Sequence, residues 1–178
     1  MAISKKVVND TRSFINNVFS NNSEIDLPVK IENIVKALKI DLVYYTFDED
    51  ISGVLVLNGS HSTIGVNQGH SEVRKRFTIA HELGHYVLHK DQGSMFMDKV
   101  LFRKNSEEYS VRDGKLEKEA NYFAANILMP ENIVKDYIEK NDIDFYEDLD
   151  IQKMAKAFGV SSSAMTYRLI NLGVIATT

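Results

Sequence analysis

The sequence predicts an α+β protein, and three observations carry that prediction. Helical apolar periodicity opens the chain, short β-branched and aromatic runs replace it between Asp41 and Asn67, and helical spacing returns after Ser71. At 178 residues the chain amounts to about one domain of the usual ~150 residues. Its 44% hydrophobic and 26% charged residues suit a single buried core. A large multidomain assembly is excluded, and a mainly disordered chain is not expected.

Each element has a local cause. Residues 4–19 carry Val7, Val8, Phe14, Ile15, Val18 and Phe19 on one helical face, and Asn21-Asn22-Ser23 breaks the pattern. A second helix is expected with Pro28 at its first position and a stripe of Ile31, Ile34, Val35 and Leu38. Leu42-Val43-Tyr44-Tyr45, Gly53 to Leu57 and Thr63 to Val66 read as strands of a small antiparallel sheet, with Asn58-Gly59 as the hairpin turn between the last two. A helix follows from about Ser71 to His89.

From about Asp91 to Gly114 the helical pattern stops for 24 residues, longer than most loops in compact domains. Its apolar patches, Met95-Phe96-Met97 and Val100-Leu101-Phe102, should fold back on the body as a short extra hairpin or serve as a lid. Residues 1–130 are read as the core unit and residues 131–178 as a C-terminal helical subdomain packed on it. Within the latter, Ala155, Gly159 and Met165 sit at helix-turn-helix offsets, with Phe158-Gly159-Val160-Ser161 as the turn and Ser161 or Ser162 as the cap of the next helix.

Composition narrows the function. Lysine and arginine (21) against aspartate and glutamate (25) leave a net charge of −4, so no global positive field draws the chain to nucleic acid or anionic lipid. The helix after the turn offers only Arg168 to a DNA groove, and residues 142–150 add five acidic groups ahead of it. Direct nucleic-acid binding is not expected. With no cysteine there is no disulfide, thiolate ligand or cysteine nucleophile, and a metal would have to sit on histidine and carboxylate. No stretch has the apolar length of a signal peptide or a membrane span, so a soluble cytoplasmic protein is the expectation.

The chemistry centres on His81-Glu82-Leu83-Gly84-His85, an H-E-x-x-H in a helix. Histidines four residues apart stack on one helical face and can share one zinc ion, while Glu82 can reach a water beside it as general base. Val73, Phe77, Ala80, Gly84 and Leu88 lie on or beside that face, so the pair points inward. Gly84 in mid-helix costs about 1 kcal/mol against Ala and signals close approach of another backbone or a ligand. His89 continues the series, but three residues on one straight helix cannot converge on one ion. The metzincin extension is absent, since Leu88 and Asp91 stand at its positions.

The third ligand must therefore come from another element, and the best candidate is the segment Glu117 to Pro130. Leu116, Ala120, Phe123, Ala124, Ile127 and Leu128 define a buried helical stripe there. At ~100° per residue Glu117 falls about 60° from the centre of that stripe and Glu119 about 100° away. Glu117 is the better-placed ligand, Glu119 the alternative. Asn121, one turn beyond Glu117, could orient a ligating imidazole or Glu117 itself.

These segments resemble the ImmA/IrrE family of zincin metallopeptidases. The likeness rests on Arg76 to His85, on Glu117 to Pro130 in the pattern E-x-E-A-N-x-F-A-A-x-x-L-M-P, and on Leu27-Pro28-Val29 with a Ser52-Gly53 strand; it spans roughly residues 25 to 172. The resemblance implies a minimal thermolysin-like zincin fold with the Thr63 to Asn67 strand beside the substrate cleft. It implies one zinc per chain on His81, His85 and Glu117, with Asn121 behind them, and Glu82 as the catalytic base. It also implies an intracellular regulatory protease whose substrate is a helix-turn-helix repressor of a mobile element, phage or stress regulon. The alternative is a binding or antitoxin-like module that keeps the zincin fold and cuts nothing. Manganese or iron also suits such ligands. Tyr86, Tyr122, His89 and Arg168 are the candidate oxyanion donors.

Overall fold

A computed structural model describes residues 2–20, 26–99, 111–145 and 148–176. The element order is α1 (Lys5–Phe19), α2 (Ile31–Ala37), β1 (Asp41–Tyr45), β2 (Ile51–Asn58), β3 (His61–Asn67), α3 (Glu72–His89), β4 (Met95–Lys99), α4 (Val111–Leu128), α5 (Glu131–Asn141), α6 (Asp148–Phe158) and α7 (Ser162–Asn171). This is the α+β plan that the change of periodicity predicts.

The sheet has the order β1-β3-β2-β4. β2 pairs antiparallel with both β3 and β4, but β1 runs parallel to β3, so the sheet is mixed and not purely antiparallel. The hairpin forms where Asn58-Gly59 marks it, with Asn58 opposite His61 and Gly59 at φ +60°, a backbone that glycine adopts without a Cβ penalty. The buried Asn67 amide donates to the carbonyls of Asp48 (3.2 Å) and Ile51 (2.8 Å), which pins the β1–β2 connection. β3 lies inside the sheet between β1 and β2. At the sheet edge β4, from the Met95-Phe96-Met97 patch, also meets the histidine helix, with Phe96 against the His85 ring. Val100-Leu101-Phe102 lies outside the described residues.

Pro28 does not open α2. The peptide Leu27–Pro28 is cis, and the helix starts three residues later with Lys30 at its N-cap position. Arg76 of α3 reaches this turn: its Nη2 donates to the Val29 carbonyl (2.8 Å) and its Nε to the Gly159 carbonyl (3.2 Å). One guanidinium thus ties the entry of α2 to the turn between α6 and α7. That turn follows the expectation, with Gly159 at φ +64° and the Ser161 hydroxyl accepting from the Ala164 amide (3.1 Å).

The core is one continuous cluster. Leu55 and Ile64 from the sheet, Ile79 and Leu83 from α3, Phe123 and Ile127 from α4 and Phe158 and Met165 from the C-terminal helices are all fully buried. Each such side chain contributes roughly 1.5–3 kcal/mol on burial. Arg168 belongs to this packing and not to a DNA-facing surface: it is 6% exposed, and its Nε donates to the Met129 carbonyl (2.9 Å). Burial lowers its pKa, with Tyr122 and Glu131 opposing that shift.

α3 is sandwiched between the sheet and α4. Glycine permits both contacts. A Cβ on Gly84 would lie 3.1 Å from the Ala120 Cα, 3.1 Å from its carbonyl oxygen and 3.2 Å from the Phe123 Cβ. On the sheet side a Cβ on Gly53 would collide with the Thr78 methyl and approach Glu82 Oε1 at 3.3 Å.

Gly84→Ala should lose stability overall. Helix propensity gains about 1 kcal/mol, while overpacking against a backbone that cannot yield costs about 1–3 kcal/mol. Urea unfolding checks this: a lower midpoint with an unchanged m-value is expected, and a variant more stable than wild type would refute the close approach.

Candidate metal centre

The 18-residue helix α3 starts with the Ser71 hydroxyl accepting from the Arg74 amide and carries the whole H-E-x-x-H in its most buried part. His81, His85 and His89 are each 1% exposed and Glu82 is 0% exposed. Helical spacing stacks the imidazoles so that His81 Nε2 and His85 Nε2 are 3.1 Å apart. The close crossing at Gly84 brings α4 alongside, and Glu117 enters between them, Oε2 3.1 Å from His81 Nε2 and Oε1 3.1 Å from His85 Nε2. Donor atoms of His81, His85 and Glu117 all lie within 4.8 Å of one another, as a metal-binding cluster requires.

The protonation states suit a cation. Burial pushes the Glu117 carboxyl up, but in the metal-free protein N–H donation and charge from the His81 and His85 rings outweigh it and hold the group at about 2, so it is an anion. Burial depresses His85 below its usual value, which Glu117 opposes only in part. An anionic carboxylate beside a neutral imidazole is the form a metal binds. Behind the cluster, His81 Nδ1 lies 3.1 Å from Asn121 Oδ1. With a metal bound, that carbonyl oxygen would accept a hydrogen bond from Nδ1–H and leave the Nε2 lone pair for the ion. Electron-rich atoms converging in a buried place are mutually repulsive unless a cation joins them, so the donor set fits a metal ion.

Glu119 takes another place. It faces away from Glu117 and binds His89, with Oε2 3.0 Å from His89 Nε2, while His89 Nδ1 lies 3.1 Å from His85 Nδ1. Phe96 of β4 stacks on the His85 ring at 4.7 Å and 19°. Sequence reasoning singled out His89 and Glu119 separately but not as partners, and it missed Phe96. The signal for the pair was present: a third histidine at the same spacing and a second carboxylate two residues from the first, each left over once the ligand set is chosen. Of the candidate oxyanion donors, Arg168 is held by Met129 and His89 by Glu119. Tyr122 lines a cavity of about 500 Å³ between α1 and the α4–α5 junction, and Tyr86 lies under the Lys90 ammonium.

A helix-borne H-E-x-x-H completed by a glutamate from a second helix defines a metallopeptidase-type site on an α+β scaffold. Residues 35–170 match the IrrE N-terminal-like domain of the M78 peptidases, and the chain belongs to that family. It is 30% identical over 109 residues to the radiation response metalloprotease IrrE of Deinococcus radiodurans, covering 61% of this chain and 31% of that protein. To the metallopeptidase ImmA of Bacillus subtilis it is 29% identical over 99 residues, 56% of this chain and 51% of ImmA. To immunity region protein 2 of Bacillus phage phi105 it is 28% identical over 101 residues, 56% of this chain and 58% of that protein. The matches thus span about a third to three-fifths of these relatives. A solved structure described as a Mycobacterium tuberculosis transcriptional regulator superposes with a TM-score of 0.59 at 18% identity, over 91% of this chain and 46% of that one, a likeness of fold. Among the described residues no helix is long and apolar enough to cross a membrane.

Glu117→Ala should reduce metal from one ion per chain to near zero after desalting, whereas Glu119→Ala should still fill in excess metal. Native mass spectrometry of the two variants reads this; full occupancy of Glu117→Ala would remove that residue from the site.

Proposed function

We propose that this chain is a zinc-dependent endopeptidase that regulates transcription by cutting a helix-turn-helix repressor. The observation that carries the catalytic part is the convergence of His81, His85 and Glu117 with the buried Glu82 on the same helical turn. A purely structural metal site has no use for a general base and more often closes its fourth position with a protein ligand. The regulatory part comes from the relatives, one a metalloprotease of a radiation response, one named metallopeptidase ImmA and one a phage immunity region protein.

The residues divide the work. His81, His85 and Glu117 would hold the zinc, with Asn121 steadying the His81 ring. The chemistry a bound zinc supplies there is polarisation of the scissile carbonyl and acidification of a water. Glu82 takes the proton of the attacking water and returns it to the departing amine. Its carboxylate is set between α3 and β2, where Gly53 leaves room for it. Phe96 covers the His85 ring and keeps solvent from that side.

Glu82→Gln tests the assignment because it keeps shape and removes the base. Zinc-loaded wild type, incubated with lysate of its own host, should generate new N-termini inside a helix-turn-helix repressor, read by terminal-amine mass spectrometry. Glu82→Gln should bind zinc normally and slow that cleavage by about 10²–10⁴-fold. Equal cleavage by both proteins would refute the role of Glu82. Repressor inactivation without any new terminus would replace the peptidase by a binding module.

A further inference from the structure

Two buried titratable side chains, His89 and Glu119, have no part in the chemistry above, yet they stand directly behind one of its donors. They are 1% and 5% exposed. His85 Nδ1 meets His89 Nδ1 at 3.1 Å, His89 Nε2 meets Glu119 Oε2 at 3.0 Å, and Lys115 Nζ approaches Glu119 Oε1 at 3.8 Å near the surface. We infer that His89 and Glu119 form a proton-ordering relay that keeps the lone pair of His85 Nε2 turned toward the metal position. This rests on the metal-binding reading of His81, His85 and Glu117.

The direction of the relay follows from donor and acceptor rules. With Glu119 Oε2 accepting at 3.0 Å, the proton of His89 sits on Nε2. With one proton per ring, His89 Nδ1 is then bare and can only accept. His85 Nδ1 must therefore be the donor, and its Nε2 is left as a lone pair facing Glu117 and His81. The reverse order, with His89 Nδ1 donating to His85, would leave the bare His89 Nε2 facing the Glu119 oxygen across 3.0 Å in a buried place.

The interposed histidine has a geometric reason. Glu117 and Glu119 are two residues apart on α4 and point to different sides, so the carboxylate that does not enter the cluster cannot touch His85 directly. His89, one turn along α3, closes that distance. Phe96, 4.7 Å from the His85 ring and 6.3 Å from that of His89, covers both rings and opposes their rotation. His81 is served differently, by an amide whose two ends can exchange roles on flipping. The two oxygens of Glu119 are equivalent and no flip exchanges an acceptor for a donor, so His85 is the donor with the fixed tautomer. These two are positioning residues, since they act through His85.

Zinc affinity and the His89 tautomer test this together. In long-range ¹H–¹⁵N spectra of the zinc-loaded wild type, His89 should be protonated at Nε2 and bare at Nδ1; the opposite tautomer overturns the relay. By chelator competition, His89→Phe and Glu119→Leu should each bind zinc about 10–100-fold more weakly. His89→Asn, which offers an amide oxygen to His85 Nδ1, should recover most of that loss. Adding Glu119→Leu to His89→Asn should then cost little, because the amide needs no carboxylate to set its direction. Affinity unchanged in His89→Phe, or lost equally in His89→Phe and His89→Asn, refutes the relay. Failure of the wild type to bind zinc would instead refute the metal-binding reading on which it rests.

Discussion

The backbone-to-backbone approach of α3 and α4 at Gly84 and Ala120 is the contact on which the rest of the site depends. A helix pair held apart by an ordinary side chain there would leave Glu117 out of reach of the histidines. With hydrogen in place of Cβ, the ligating face of α3 lies along the inward face of α4, whose Ala120, Phe123, Ala124 and Ile127 are fully buried. The same crossing sets Asn121 behind His81 and Glu119 behind His89. One glycine therefore positions three polar pairs at once, and the apolar stripe of α4 provides the energy that holds them together.

The opposite side of α3 obeys a matching constraint. Gly53 on β2 makes room for Thr78 and for Glu82, so the sheet packs against one side of α3 as α4 packs against the other. A carboxylate and three histidines in one buried helix segment would be a poor core by themselves, because each is costly to bury without a partner. The arrangement is coherent when the pairs are considered jointly. Neutral histidines, favoured by burial at His85 and His89, face anionic or carbonyl oxygens, and the remaining lone pairs point to a common centre. Arg76 and Arg168 tie the surrounding turns and helices through hydrogen bonds to carbonyls.

What was legible in the sequence is what depends on local spacing. The H-E-x-x-H face, the buried stripe of α4, the Asn58-Gly59 hairpin and the Gly159 turn each follow from residues close together in one stretch of sequence. The place of Glu117 was also legible, because its angle from the stripe is set by the same helix; Glu119, the weaker alternative, proves to be the partner of His89. Features that need two distant segments in a definite register were not. The parallel pairing of β1 with β3, the place of β4 at the sheet edge, the stacking of Phe96 on His85 and the joining of His89 to Glu119 all depend on how elements meet, which periodicity does not encode. Pro28 shows the converse error: a residue well suited to a helix start instead shapes the turn before it, where the Val29 carbonyl is claimed by Arg76.

The most direct test of this account is the coordination shell of the zinc-loaded protein, measured by X-ray absorption at the zinc edge. The account predicts four-coordination by two imidazole nitrogens at about 2.0–2.1 Å and two oxygens at about 2.0–2.2 Å, one from Glu117 and one from water. A third imidazole in the shell would mean that His89 is a ligand and not a support for His85. An all-oxygen shell would mean that the crossing of α3 and α4 does not build the metal centre described.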